Sequence, residues 1–332
     1  MKKAVSIIIP LVMLVFILSC QENFSPKAPL PDKYAVNLIM RGDTTVQIAY
    51  LSRVYDVSGY DPSSLTTDPA VDGATISVNY TGDSKLYVFR DTLDKSVLNG
   101  RYNTPSKYYY LKNFRPVSNK EIQLNVALPG GQILTSKTKL PGGITFDENQ
   151  STPYIPGSYT TDSVYIDVVW NGPSLNSAKA KRVSFVYFHR ELNGTKTRYI
   201  KQVPIVAVSQ GDSVYYDYND IQYENALHLP RTLLDKSMQE ISAGDSKKGR
   251  YLIGPLRVDV LLFDDNLSKL YSVNLFYNYG FTIKNYPADI TNITGGLGYF
   301  ASYAQETRFV KFDPPYLLNK YGYLADSSDY GY

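Results

Sequence analysis

Short runs in which apolar and polar residues alternate occupy much of the chain, and turn residues separate them. Alternation places every second side chain on one face of an extended strand, so each run predicts a half-buried β-strand. The runs "ATISVNY" (74–80) and "KLYVFRD" (85–91) flank a Thr-Gly-Asp turn. The runs "EIQLNVAL" (121–128) and "QILTSKTKL" (132–140) flank a Pro-Gly-Gly turn. Both pairs predict antiparallel hairpins.

The second half of the chain continues this pattern with one exception. Further strands are predicted at 163–170, 182–192, 197–208, 256–264 and 269–280. The exception is the segment 229–244, which carries apolar residues near the spacing of one helical face: Leu229, Leu233, Leu234, Met238 and Ile241. We expect one short helix there, packed over a sheet.

Turns and prolines also indicate how the chain divides. A polar stretch with two prolines follows the second Leu-Pro-Gly-Gly sequence, which places a domain boundary near residue 147. The expected segments are a signal peptide at 1–19, a lipidated cysteine and tether at 20–33, an immunoglobulin-like β-sandwich at 34–146, a second antiparallel β domain at 147–312, and a Tyr- and Pro-rich tail at 313–332. The tail has little apolar patterning, and we expect it to be loose.

Composition supports an all-β globular protein. The 332 residues are 43% apolar and 20% charged, a balance that allows a buried core. The 31 tyrosines, beside 13 phenylalanines and one tryptophan, favour pleated, half-buried surfaces over helices. The formal charge of +3 falls by two when Lys2 and Lys3 leave with a signal peptide. A charge this small provides no basic footprint for nucleic acid.

The N-terminus combines two lysines, a near-continuous apolar run from Ala4 to Leu18, and the chain's single cysteine, Cys20. Fifteen residues span about 22 Å as a helix, which is short of the roughly 30 Å hydrocarbon core of a bilayer. The pattern therefore predicts a cleaved secretory signal. Ile17-Leu18-Ser19-Cys20 resembles the lipobox of bacterial lipoproteins, which implies cleavage before Cys20 and a diacylglycerol on its thiol.

The absence of a second cysteine supports lipidation, because Cys20 has no partner for a disulfide. An ordinary signal peptide with an incidental cysteine is the alternative. Resemblance to lipoproteins of two-membrane bacteria implies the outer membrane, since Gln21 stands where an inner-membrane retention signal has aspartate. Which side of that membrane the protein faces is left open.

Motifs for catalysis or cofactor binding are weak. Gly296-x-Gly298-x-x-Ala301 has the form of a dinucleotide fingerprint, but position 321 is Tyr where an acidic residue is required and the surroundings predict antiparallel strands. His189 and His228 have no cysteine in the folded part with which to form a zinc site. No serine-nucleophile motif is present. We expect no catalytic residue, cofactor or metal.

Carboxylates and tyrosines form the remaining clusters. The carboxylates of "DYND" (217–220) and "FDDN" (263–266) suit calcium or acid/base chemistry, although a hairpin turn is the favoured interpretation of the second. Tyrosines cluster in "YYY" (108–110), "YYDY" (215–218) and "FYNYG" (276–280). Exposed tyrosines suit protein or glycan recognition, while alternation is expected to bury every second one.

Taken together, the chain resembles the bacterial outer-membrane lipoproteins grouped as "domain of unknown function 4249". The segments "VDGATISV" (71–78), "NGRY" (99–102) and "TSKTKLPGGITF" (135–146) resemble its sandwich domain. A late motif of that family is matched by Asn292, Ile293, Gly295, Gly296, Gly298 and Phe300. We expect these glycines to be structural, at positions that need a positive φ or a close backbone approach.

The resemblance implies no assigned activity and an accessory role beside TonB-dependent receptor systems. The expected function is a lipid-anchored, non-enzymatic binding module of the outer membrane, with a receptor or other envelope protein as partner. Two alternatives are a carboxylate-dependent hydrolase of surface polysaccharide and a surface fibre or adhesion subunit. The hydrolase predicts two carboxyls in an open cleft, and the fibre subunit predicts a long exposed edge strand.

Overall fold

A computed structural model describes residues 33–54, 61, 64–94, 102–156, 164–172, 177–277 and 291–326. The predicted signal peptide, Cys20 and nearly all of the tether lie outside the described residues, as do the last three residues of "FYNYG" and most of "NGRY". Within the described part, none of the helices is both long enough and apolar enough to cross a bilayer.

The described residues contain twenty strands and three helices. The strands are β1 (Tyr34–Arg41), β2 (Gln47–Arg53), β3 (Thr75–Tyr80), β4 (Tyr87–Val88), β5 (Arg90–Asp94), β6 (Ser106–Leu111), β7 (Glu121–Ala127), β8 (Ile133–Lys139), β9 (Thr145–Phe146), β10 (Tyr154–Ile155), β11 (Tyr165–Asn171), β12 (Lys179–Arg190), β13 (Lys196–Val203), β14 (Val206–Gln210), β15 (Ser213–Asp217), β16 (Asp220–Gln222), β17 (Ala226–Pro230), β18 (Tyr251–Phe263), β19 (Leu297–Phe312) and β20 (Leu324–Ala325). The helices are α1 (Arg231–Glu240), α2 (Asp265–Tyr277) and α3 (Pro314–Tyr321).

The N-terminal unit is an immunoglobulin-like sandwich, which confirms the predicted all-β fold class. One of its sheets has the order β4-β3-β7-β8, and β1, β2, β6 and β5 form the other. Alternate residues such as Leu38 of β1 and Leu124 of β7 share one buried core between the sheets. Both predicted hairpins are confirmed, since β3 pairs with β4 and β7 with β8 in antiparallel register.

The second unit extends the sandwich through a shared sheet. The path β13-β12-β18-β19-β1-β2-β6-β5 runs through an 11-stranded sheet, in which β1 lies parallel to β19 with Val36 opposite Gly298. A larger core, which includes Trp170 of β11 and Phe185 of β12, lies on one face of the β12-β18-β19 part. Residues from both sides of position 147 contribute to each core, since Leu140 belongs to the larger core and Phe300 to the sandwich core. One continuous sheet joins the two cores.

The predicted helix at 229–244 is confirmed as α1. Leu233, Leu234 and Met238 are buried, and Leu234 and Met238 join the larger core. Leu229 is also buried but belongs to β17, which precedes the helix.

The predicted strand at 269–280 is wrong, because α2 occupies residues 265–277. Asp264 caps this helix by accepting a hydrogen bond from the Leu267 N–H at 2.8 Å. Leu267, Leu270 and Tyr271 have helical spacing and pack with Tyr299 on the sheet's other face. The predicted hairpin turn at 263–266 is therefore a helix N-terminus, although its aspartate does cap backbone groups as expected. The apolar residues of this segment fit either a strand or a helix. The apolar face of the sheet against which they pack favours the helix.

The expectation of a loose tail is wrong for residues 313–326, which hold α3 and β20. The Asp313 side chain accepts from the Tyr316 N–H at the start of α3, and Gly322 ends the helix with φ +76°. Tyr323 is buried and its hydroxyl donates to the Met238 carbonyl at 2.6 Å. The described part thus has three helices where one was expected, and α3 is held against α1.

Candidate functional site

The glycine motif carries the chain from one sheet of the sandwich to the other. Thr294 exchanges backbone hydrogen bonds of 2.8 and 3.1 Å with Thr135 of β8, and β19 then begins beside β1 at Leu297. Residues 294–297 therefore link the edge of the four-stranded sheet to the middle of the large sheet.

A side chain at any of the three glycines would meet backbone atoms. A Cβ would lie 2.6 Å from the Ile133 carbonyl oxygen at Gly295, 2.7 Å from that of Tyr34 at Gly296, and 2.1 Å from that of Val36 at Gly298. Gly298 also has φ +102°, in a region that L-residues avoid. The close backbone approach that was expected at these glycines is present at all three, and Gly295 and Gly298 also have a positive φ. A 16-residue strand begins at Leu297, where a dinucleotide site would need a helix.

Asn292 and Phe300 complete the motif. The Asn292 side chain bonds to the Phe300 backbone in the way that a neighbouring strand would. The Phe300 N–H donates to Asn292 Oδ1 at 2.8 Å, and Asn292 Nδ2 donates to the Phe300 carbonyl at 2.6 Å. Ser136 of β8 donates to the Asn292 carbonyl at 2.7 Å, while the Phe300 ring is fully buried in the sandwich core. The motif thus closes the open side of the sandwich.

A buried polar seam lies beside this closure. The Thr138 hydroxyl hydrogen-bonds Asp264 Oδ2 and lies 2.9 Å from Ser302 Oγ, while the Asp264 N–H donates to the Ser302 carbonyl at 3.0 Å. Burial raises the pKa of the Asp264 carboxyl, and hydrogen bonds from Thr138 and the Leu267 N–H offset part of that rise. The seam connects β8, β19 and the first turn of α2.

A cavity of about 340 Å³ opens next to the seam, and Glu121, Lys137, Asp264 and Asp265 are among its lining residues. Hydrogen bonds from the Thr81 hydroxyl and from Lys137 lower the pKa of Glu121. Both oxygens of Asp264 are already engaged, one by Thr138 and one as the helix cap. The arrangement suits Asp264 to positioning α2 better than to proton transfer.

The two histidines belong to separate pairs. His189 Nδ1 lies 2.9 Å from Glu191, and His228 Nδ1 lies 2.7 Å from Asp167. In the "DYND" cluster, Asp217 accepts from the Asn219 N–H at 2.9 Å, as turn aspartates do. Over the described residues, no three histidine, cysteine or acidic side chains are placed to hold a metal ion.

The tyrosine runs differ in burial. In "YYY" the expected alternation is confirmed, because Tyr109 is buried in the sandwich core while Tyr108 and Tyr110 point to the opposite face of the sheet. In "YYDY" it is wrong, because Tyr215, Tyr216 and Tyr218 are all exposed. "FYNYG" begins in the last turn of α2 and continues beyond the described residues.

Two exposed apolar surfaces result. The first, the outer β1–β2–β6 face, consists of the exposed Ile39, Ile48 and Tyr50 with the partly exposed Tyr108 and Tyr110. The ladder places Ile48 directly opposite Tyr110, and the Tyr50 and Tyr108 rings are 6.3 Å apart. Tyr50 is 54% exposed.

The second surface is the hairpin arm, formed by β14 and β15 (residues 206–217). These strands pair only with each other. Val208 and Tyr215 are opposite each other and are 54% and 59% exposed. Val214 and Tyr216 are exposed on the other face, where Tyr216 lies under the Lys236 ammonium at 5.0 Å.

The outer face was not predicted from the sequence, although a signal was present. Strands β1 and β2, "YAVNLIMR" and "QIAYLSR", have apolar residues at both odd and even positions, unlike the regular alternation of β7. Such strands are typical of sheets that are covered on both faces.

Comparisons with known proteins add little to this geometry. No protein-family model matches the chain, and no curated protein was found to match it. The crystal structure of DIP-gamma IG1+IG2 aligns over 82% of this chain and 97% of its own, at 4% identity and a TM-score of 0.20. At that score the similarity carries no argument, and the assignment of fold class rests on the sheets described above.

Proposed function

We propose that the protein is a lipid-anchored, non-enzymatic accessory module of the outer membrane that binds an envelope protein through the hairpin arm. The exposed arm is the observation that carries this proposal. The lipobox resemblance of Ile17–Cys20 supports the anchor, and the resemblance to the "domain of unknown function 4249" lipoproteins favours a TonB-dependent receptor as the partner.

The arm has the properties of a protein-binding element. A two-stranded hairpin is marginally stable alone in water, so one that exposes valines and tyrosines on both faces gains stability from a partner. Tyrosine supplies large contact area at low entropic cost. The arm contains Asp212 and Asp217 but no lysine or arginine. Its partner is therefore expected to present an apolar cleft with a basic rim.

A non-enzymatic role is supported by how the carboxyls are used. Asp264 caps α2 and Asp217 closes a turn, so neither is available as an acid/base group without loss of structure. A polysaccharide hydrolase would need another carboxyl pair.

A surface-fibre role is favoured by one observation only. β13 is at the edge of the 11-stranded sheet, and residues 196–202 of it are exposed or partly exposed. Its sequence "KTRYIKQV" carries three basic residues, and cations on an edge strand oppose self-pairing. We therefore rank this role second, and growth of oligomers with concentration would support it.

The anchor is tested by Cys20→Ala with a radiolabelled fatty acid. The wild-type protein should take up label and remain with outer-membrane vesicles, whereas the variant should take up none. Labelled Cys20→Ala protein would refute lipidation at this residue.

The arm is tested by placing a photo-crosslinking amino acid at Tyr215 in cells, with Leu192 as the control. Leu192 is an exposed apolar residue in a different turn, at 84% exposure. We expect a discrete adduct from position 215 only. Tyr215→Ala should weaken the isolated complex by about 2 kcal/mol, which is about thirtyfold in affinity, if the residue is a hot spot. Equal adducts from both positions, or none from either, would contradict the role of the arm.

A further inference from the structure

The outer β1–β2–β6 face combines apolar and cationic groups. Exposed isoleucine and tyrosine side chains form its centre. Arg90 is directly opposite Tyr110 in the ladder, the Lys112 ammonium lies 5.2 Å from the Tyr110 ring, and Arg41 is at the end of β1. The described acidic residues at this part of the sheet are Asp43, which pairs with Arg41 at 2.8 Å, and Asp94, opposite Ser106 at the far end of β5. The three cations outnumber these two carboxyls around the apolar centre.

We infer that this face rests on the anionic phospholipid bilayer to which the protein is anchored, an inference that depends on the lipid anchor proposed at Cys20. The contact sets the orientation of the whole molecule. It leaves the opposite sheet of the sandwich, with Ile133 on its outside, facing away from the lipid.

The position of the lipid anchor supports the bilayer as the partner of this face. β1 begins at Tyr34, so thirteen residues separate it from Cys20. The fourteen steps from Cys20 to Tyr34 can reach at most about 48 Å, at about 3.4 Å per residue. The strand that follows the tether is also the strand that carries Ile39. Because the tether makes the second contact intramolecular, at an effective concentration of about millimolar, even a weak surface becomes occupied.

The residue types match a membrane interface. Tyrosine favours the headgroup level, isoleucine enters the acyl boundary, and lysine and arginine extend toward lipid phosphates. Anionic headgroups attract such cations within about a Debye length. The hairpin arm, with its two aspartates, has the opposite charge.

Sheet geometry leaves this face accessible despite α2. The helix covers β18 and β19 on the same side of the large sheet, where Leu267 packs with Tyr299 and Ala301. Adjacent strands rotate by about 20 to 25°, so β6, three strands beyond β19, faces about 60 to 75° away from the helix-covered part. A bilayer can therefore approach β2 and β6 without meeting the helix.

The test uses the full-length lipoprotein in vesicles of phosphatidylethanolamine and phosphatidylglycerol that contain a nitroxide-labelled lipid. Ile48→Cys and Ile133→Cys each introduce one thiol for a fluorophore, because an acylated Cys20 cannot react. The two isoleucines are exposed on opposite sides of the sandwich, at 41% and 60%. Circular dichroism checks that both variants are folded.

We expect several-fold stronger quenching at position 48 than at 133, with the difference reduced in phosphatidylcholine vesicles, in high salt, and by Arg90→Glu. If the protein floats with the vesicles but neither label is quenched, or both are quenched equally, the inference is overturned while the anchor stands. Failure to float, with dye on Cys20 itself, would remove both the anchor and the inference.

Discussion

Gly298 provides the sharpest test of the fold. Gly298→Ala would place a methyl group 2.1 Å from the Val36 carbonyl oxygen, where ordinary contact begins at 3.4 Å. Either β1 or β19 must then move by more than 1 Å at the centre of their parallel ladder. An L-residue at this φ costs about 1–2 kcal/mol, and overpacking costs about 1–3 kcal/mol more. Unfolding free energy should fall by about 2–5 kcal/mol, a large part of the roughly 5–15 kcal/mol typical of a domain.

Gly82→Ala is the matched control, because Gly82 has φ +85° with no atom within 4 Å of an added Cβ. It should lose only the conformational part, about 1–2 kcal/mol. Urea unfolding of the detergent-solubilised protein, followed by far-UV circular dichroism, measures both variants. If Gly298→Ala is no less stable than Gly82→Ala, the close approach of β1 and β19 is not what requires glycine.

Three further predictions concern the buried polar groups. Because burial raises the pKa of Asp264, its ionisation disfavours the folded state, so wild-type stability should decrease as pH rises through that pKa. The urea midpoint of Asp264→Asn should therefore rise relative to that of wild type as pH increases above 3.8, the ordinary aspartate value. Asn292→Ala should cost about 2 kcal/mol in the same assay, because it unpairs the Phe300 N–H and leaves Asn266 as the remaining side-chain donor to the Phe300 carbonyl; an unchanged urea midpoint would contradict this. Tyr321→Phe removes the hydroxyl bonded to Asp235 and should increase proteolysis near α3, with thermal stability lowered by about 1 kcal/mol; an unchanged cleavage rate would contradict its role in docking that helix.

Local patterns predicted the strands and the helix in which the spacing of apolar residues matches the spacing of buried side chains. The hairpins β3–β4 and β7–β8 have regular alternation and turn residues between them, and α1 has apolar residues at helical spacing. The backbone role of the motif glycines was also predicted, because glycine is the residue that suits a positive φ or a close backbone approach.

The segment 265–277 shows why other elements were not predicted. Its apolar residues fit a strand and a helix almost equally, so Asp264 and the apolar face formed by Leu261, Tyr299 and Ala301 decide the outcome. That face is built from strands about 35 residues apart in the chain. No local window contains the information.

The sequence by itself determined the all-β class, the two hairpins and the helix α1, because each depends on residues within one short window. Only the tertiary structure decided that β1 lies parallel to β19, that one sheet joins both cores, and which tyrosines are exposed. These features depend on backbone groups brought together across more than 250 residues, as at Gly298, where the approach of β1 leaves no room for a Cβ. Whether a face of a strand is buried depends on the elements that pack against it, so the sequence of the strand alone does not determine it.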